Sequence, residues 1–482
     1  MKKLIAIALI LIIRLICMAD MLNPKDYGVL EAKTGTEVYA ILSKVHNEAV
    51  KKGIGVTYEG VKQLYVEIPK TPVDIPLGSY TDFAGCEMTV KNDAVLTYLF
   101  GMKEASHPVE LSKKNIDRGN FTKYKSLSSG LYIVSVEDEN PWVAERRGFG
   151  EKVIRKDLFL VENGKSKSRP IAQYNNKNSN PKAVYYIATP EKKIVKNLKF
   201  VRLSESKQMI WLLRVQGINN LEIDNVEIDT PETDIIGDCA ITILDSSNLT
   251  MNDVRINGTY SSTVRWGYGI MMNNTWNSTF RNMHCDAKWG VFGTNNTNLV
   301  HIYDSDLNRF DVHCYGRDIY CVNTVFRNLF NRVTSFYGVL SYEGCRFINF
   351  VPMNFDQSYS AYTPFDLVFR NCDIEADSKR PYLIWGGSLD RSGFSVRKEL
   401  KTIVFPNIEI RNMTVSSPRE IDKWWIYYMG SCQGLTKVKM ESLTIDSLRL
   451  VNIREMVWSN CNLKTAKKLK KRLTASPALI TN

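Results

Sequence analysis

Four side chains that can carry charge or a proton fall at alternate positions of one short segment: Arg309, Asp311, His313 and Tyr315. If Phe310 and Val312 face a core, period-two geometry sends Arg309, Asp311 and His313 out of the opposite face of one strand. An imidazole titrates near neutrality, so His313 is a candidate general base. Arg309 or Arg317 can grip a carboxylate with two parallel hydrogen bonds, and Tyr315 can protonate a leaving oxygen. Tyr268 and Trp289 precede this segment in the same expected outward column, and Asn296 and Asp311 add polar contacts. Rings beside charged groups suit a carbohydrate, since the rings stack on the apolar faces of pyranoses. Together these residues fit β-elimination at a uronic acid, in which a base removes the C5 proton while cations or hydrogen bonds neutralise the carboxylate. Glycoside hydrolysis needs two carboxylates instead, and Asp238 with Asp304, Asp306 or Asp311 are the candidates. A plain structural reading also stands, with Asp311 bonding Arg309 or orienting His313, and so does non-catalytic glycan binding.

The elements that must position these groups are legible as a repeat. An apolar residue, two others, an apolar or small residue, one other and an apolar residue recur as Ile223, Val226, Ile228 and as Met251, Val254, Ile256. The series runs through Phe280, Ile302, Cys321, Tyr342, Phe369, Ile410 and Met440 to Trp458, Cys461, Leu463. The two-residue step, rich in Asn and Asp as in Asp224-Asn225, reads as a tight bend between two short strands. No single repeat buries a core, so neighbours must stack. Intervals of mostly twenty to thirty residues are too short for strand-helix-strand units. The expectation is an all-β, right-handed parallel β-helix, a solenoid. The column Val226, Val254, Met283, Ser305, Thr324, Cys345, Cys372, Met413, Leu443 and Cys461 forms an internal ladder. That placement reads most of the ten cysteines as small buried hydrophobes and neither as disulfides nor as metal ligands.

Upstream, Val38, Ile41, Leu42, Val45 and Ala49 share a helix face, Thr34 with Glu37 makes a capping box, and Gly53 supplies the stop. This helix is expected to cap the open end of the stack. Residues 54–190 read as irregular early coils with a protruding loop at 104–130, and 194–463 as regular coils. Residues 1–19 have a basic start, an apolar run and a small-residue exit, as an export signal does. An uncleaved anchor and a lipidated Cys17 are the alternatives, and no later segment reads as a membrane span. Of the +12 net charge, removing Lys2, Lys3 and Arg14 leaves +9. The six basic residues between Lys464 and Arg472 account for six more, so the body carries only about +3. The basic tail 464–482 therefore dominates the charge, and nucleic acid is not an expected partner.

The stretch from Trp289-Gly290-Val291-Phe292-Gly293-Thr294-Asn295-Asn296 to Asn308-Arg309-Phe310-Asp311-Val312-His313-Cys314-Tyr315-Gly316-Arg317-Asp318 resembles a signature of two groups. They are secreted bacterial β-helix proteins for glycan use and phage tail-associated β-helix depolymerases. Asp26-Tyr27-Gly28, the helix and Thr81-Asp82-Phe83 resemble the start of pectate-lyase-like chains. Similarity of layout covers most of the chain, while the specific signature covers only about 290–318. The resemblance implies polysaccharide cleavage, and among its members a lyase acting on chondroitin or hyaluronan. A non-catalytic glycan-binding or phage-type β-helix protein is a further alternative. Two departures narrow it. Gly267-Tyr268-Gly269 stands where polygalacturonases have Gly-His-Gly, and the Asp cluster that binds calcium in pectate lyases is missing, which favours a metal-free lyase without a cofactor. The expected protein is monomeric, acts on an acidic polysaccharide, and is secreted or held in the cell envelope of a Gram-negative bacterium.

Overall fold

The structure, a computed structural model, describes residues 21–114, 129–136, 144–146, 151–153, 155–168, 181–187, 191–208, 210–230, 239–258, 268–286, 290–327, 330–333, 336–348, 351–355, 365–375, 382–386, 407–416, 424–428, 436–445, 448–450, 453–459, 462–463 and 480–481. The expected export signal with Cys17, the turn with Asp238, Trp289, and all of the basic tail except Ile480–Thr481 lie outside these residues.

Three parallel ladders make up the body. The first stacks Asn219–Asp224 on Ser247–Asn252 and continues through the strands Gly316–Val322 and Phe336–Glu343. After a bend, the second ladder stacks Val226–Thr230 on Val254–Gly258 and then on the short strands His284–Cys285, Asp306–Leu307 and Val325–Arg327. The third stacks Ile210–Gln216, Cys239–Leu244, the start of Tyr268–Arg281, the start of Gly290–Tyr303, Phe310–Cys314 and Phe330–Val333. Ser247–Gly258 and Phe365–Glu375 run unbroken through the bend between the first two ladders, whereas the bend splits the strand in the turns between them. The two ladders therefore join at both places, and their pairings close a ring of 10 parallel strands.

The bends explain the Asn and Asp content of the repeat. Asn197, Asn225, Asp253, Asn282, Asp304, Asn323, Asn371 and Asn412 all take left-handed φ between 49° and 59°. Only Gly, Asn and Asp visit this region at low cost, because a short polar side chain compensates locally. Here the compensation runs between turns. Asn225 Nδ2 donates to Asn197 Oδ1 at 2.8 Å, and Asn412 Nδ2 to Asn371 Oδ1 at 2.8 Å. Immediately after the bend, the expected inward column is buried from Val226 to Met413. Cys345 and Cys372 occupy it as buried residues, and Cys86, Cys285 and Cys321 are buried elsewhere in the core. The side chains of Leu443 and Cys461 lie outside the described residues.

The helix Gly35–Lys52 forms as its sequence predicts. Thr34 and Glu37 close the capping box, Gly53 ends it at φ 68°, and Val38, Leu42, Val45 and Ala49 are buried. It packs on Gln63–Glu67 and Ile75–Pro76, strands of the first turn. The early region differs from the expectation. Only two turns precede residue 104, and Tyr80–Lys91 pairs directly with Lys193–Arg202. Between them, strands from His107 to Ile187 make a separate five-stranded antiparallel sheet. Alternation alone does not tell a strand whether its neighbour is parallel, so irregular coils and an inserted sheet read alike. Runs such as Leu131-Tyr132-Ile133-Val134 and Leu158-Phe159-Leu160-Val161 are buried on both faces. One face, with Leu131, Ile133, Leu158, Leu160 and Tyr186, packs on Trp276 of the parallel body.

Candidate functional site

Residues from three consecutive turns of the third ladder meet at one place. Phe310 and Val312 point into the main core, as the alternation requires, and Asp311 leaves by the other face. Asp311 is nevertheless fully buried. Tyr268, two turns earlier, reaches it across Gly293. Gly293 is in register with Asp311, and a Cβ on it would sit 2.5–2.8 Å from the Tyr268 ring. Gly290 does the same beside it, where a Cβ would meet Arg309 Cγ and Tyr268 Cδ1 at 3.2 Å. These two glycines are the gap through which an aromatic ring spans from one turn to the next but one.

The hydrogen bonds run in one line. Arg309 Nη2 donates to Asp311 Oδ2 in a salt bridge whose partners are 2% and 0% exposed. The Tyr268 hydroxyl lies 2.5 Å from the same oxygen and 3.0 Å from His313 Nε2. On the short O–O contact the tyrosine hydroxyl is the donor and Asp311 Oδ2 accepts. Tyr268 has one proton to give and gives it to Asp311. His313 Nε2 must then donate to the tyrosine oxygen, which places the imidazole lone pair on Nδ1. His313 is only half-buried. Three buried groups thus set the tautomer and ring orientation of one imidazole that reaches the surface.

This geometry revises several expectations. Arg309, 1% exposed, is a buried partner of Asp311 and does not present its guanidinium to a ligand; Asp311 and Tyr268 are likewise buried. Tyr315 and Asn296 are placed elsewhere. They occupy the left-handed bend after this strand in successive turns, at φ 53° and 52°, both buried. Asn296 Nδ2 donates to Asn274 Oδ1 at 3.0 Å, and Tyr315 stacks on Tyr337 with ring planes 9° apart. Arg317 lies past that bend on the first ladder, half-buried, with its Nε 3.1 Å from Asp318 Oδ2. A residue that sequence reasoning missed is Arg332. It is in register with Asp311 one turn further on and is half-buried. The register shared by Phe310-Asp311 and Asn331-Arg332 was the signal that could have found it.

Of the carboxylates considered for hydrolysis, Asp238 lies outside the described residues, and Asp304 and Asp306 stand on a different ladder from Asp311. Asp304 and Asp306 line a recess of about 390 Å³ on the second ladder, with Arg255, His284 and Asn323. Both oxygens of Asp306 are held by Arg327, at 2.7 and 2.8 Å, and Asp304 Oδ1 accepts from Asn323 at 3.2 Å. Among the described residues no cluster of His, Cys, Asp and Glu has the arrangement of a metal site, and no helix is long and apolar enough to cross a membrane.

The sequence matches no known protein-family model and no curated protein. The fold is similar to that of the tailspike protein gp49 of Pseudomonas phage LKA1, at 12% identity and TM-score 0.60 over 88% of this chain and 74% of that one. Weaker likeness extends to the tailspike gp61 of Pseudomonas phage phi297, at 12% identity and TM-score 0.49 over 92% and 80% of the two chains. It extends also to the Gp54 tailspike of Acinetobacter baumannii bacteriophage AP22, solved with a capsular saccharide, at 10% identity and TM-score 0.42 over 95% and 79%. At these identities the likeness concerns the fold alone, and the first neighbour carries it. An all-β chain of stacked parallel strands with such a neighbour is consistent with a parallel β-helix.

Proposed function

We propose that this chain is a right-handed parallel β-helix that binds an acidic polysaccharide along its third ladder and cleaves it by β-elimination, with His313 as the base. The observation behind this reading is the line Arg309, Asp311, Tyr268, His313, three buried groups ending on one half-exposed imidazole. Burying an ion pair is costly and adds little net stability, so such a network is better explained by what it orients. In the reaction, His313 Nδ1 takes the C5 proton of a uronic acid. The electron pair forms the C4–C5 double bond, the C4–O bond breaks, and the imidazolium returns its proton to the leaving oxygen. Arg332 takes the role that the sequence suggested for Arg309, neutralising the uronate carboxylate from the next turn. A tailspike-like fold supports a polysaccharide as the partner. The leader-like residues 1–19 support export to the cell envelope or beyond.

The test is incubation of the purified protein with chondroitin sulfate, hyaluronan, alginate and polygalacturonate, followed by ultraviolet absorbance of the conjugated uronide. A rise with one of them, lost in His313→Ala, supports the lyase. New reducing ends without that absorbance would replace it with a hydrolase. Binding without either product would leave a glycan-binding protein.

A further inference from the structure

The first ladder carries an aromatic rank on its outer face that the proposed chemistry does not use. His301 and Tyr320 are in register on adjacent turns, with ring centroids 5.2 Å apart and planes 14° apart. Tyr303, two residues along the same strand, is parallel to His301 within 1° at 5.9 Å. Its hydroxyl lies 3.3 Å from His301 Nδ1, and Arg281 sits over its ring at 4.2 Å. Burial and then Arg281 lower the His301 pKa, so this imidazole is a neutral ring. Because the rings of His301 and Tyr320 stack turn on turn, their normals follow the direction in which the turns stack.

On the next turn the column meets Ser341, in register with Tyr320, and on the following one Val368. A serine side chain is far thinner than a ring. Tyr320 therefore ends the stack with one face turned toward a slot two strand spacings long, about 9.6 Å, floored by Ser341 and closed by Val368. Tyr320 and Ser341 are both partly exposed, and Glu343, exposed, flanks the slot on the same face. A saturated six-membered ring is thicker than an aromatic one by its pucker and axial substituents, and two strand spacings leave room for it between the two walls. We propose that the slot is a second saccharide-binding subsite, in which a pyranose continues the stack on Tyr320 and its hydroxyls bond Ser341 Oγ and the Glu343 carboxylate. It lies around the bend from His313, on a different ladder, so it anchors a chain and takes no part in cleavage. This inference rests on the polysaccharide reading given above.

The experiment uses the full-length protein and oligosaccharides of the four polymers above, with titration calorimetry as the readout. Tyr320→Ala removes the platform. Ser341→Phe fills the slot with the protein's own ring, extends the stack, and is expected to keep or raise the melting temperature. Both variants are expected to weaken binding about tenfold, and Tyr320→Phe to bind within about threefold of wild type. Wild-type affinity in a folded Ser341→Phe protein overturns the subsite and leaves the polysaccharide reading standing. No binding of any of the four to the wild-type protein removes both.

Discussion

Deleting the hydroxyl of Tyr268 is the smallest change that interrogates the cluster. In Tyr268→Phe the ring still spans Gly293, but Asp311 and His313 each lose a partner. Turnover is expected to fall about 10–100-fold with KM little changed, since the lost hydrogen bond orients the base and does not touch substrate. Equal losses in kcat/KM through KM alone would place Tyr268 in substrate binding instead. Arg309→Met leaves Asp311 as an uncompensated buried charge, and stability to denaturant should drop by about 3–5 kcal/mol. A drop under about 1 kcal/mol would mean that the ion pair is solvated. Gly293→Ala tests the same cluster from the backbone side. Its Cβ has no space beside the Tyr268 ring, so it should displace the ring and reproduce the Tyr268→Phe defect.

At the scale of elements, the bends and the helix make separable predictions. Asn225 holds left-handed φ and bonds Asn197. Asn225→Ala is expected to cost about 1–2 kcal/mol and Asn225→Gly clearly less, read from urea midpoints. The helix buries His46, whose Nε2 lies 2.8 Å from the Tyr58 hydroxyl. Burial pushes its pKa down from 6.5 to about 3. The folded value lies below the unfolded one, so the stability tied to a neutral His46 is whole above pH 6.5. It is lost as the pH falls toward 3, by about 1.4 kcal/mol per pH unit within that window. Unfolding curves at pH 7 and pH 5 should show this slope, and His46→Gln should flatten it. An unchanged slope in the variant would trace the acid sensitivity to other groups.

For the molecule as a whole, the inserted antiparallel sheet is held to the parallel body through Trp276, which is 7% exposed. Tyr186 adds a hydrogen bond to Asp245 at 2.8 Å. Trp276→Ala removes the largest side chain of that junction, at a cost of about 3–5 kcal/mol. The insertion should then undock before the ladders unfold. Limited proteolysis is expected to cut within 107–187 first, while amide exchange stays slow in strands such as Asn219–Thr230. Simultaneous loss of protection in both would show that insertion and body unfold as one unit.

The all-β class, the two-strand repeat with its bend and the capping helix were legible in the sequence because each rests on local rules. Alternation sets which side chains face inward, left-handed φ selects Asn and Asp at the bend, and a capping box closes between residues three apart. The inward-facing Phe310 and Val312 followed from the same alternation. What lay between turns was not legible. Whether Arg309 and Asp311 meet solvent or each other depends on Gly290 and Gly293, one turn away, leaving room for a ring from two turns away. The same stacking, and not the strand that carries them, put Tyr315 and Asn296 in a buried bend and set Arg332 beside Asp311. The insertion escaped notice because apolar runs buried on both faces do not specify the direction of their neighbours. Sequence determined which faces exist, since a side chain's direction is set by its own backbone; only the tertiary structure decided what each face meets, since that depends on chain brought in from other turns.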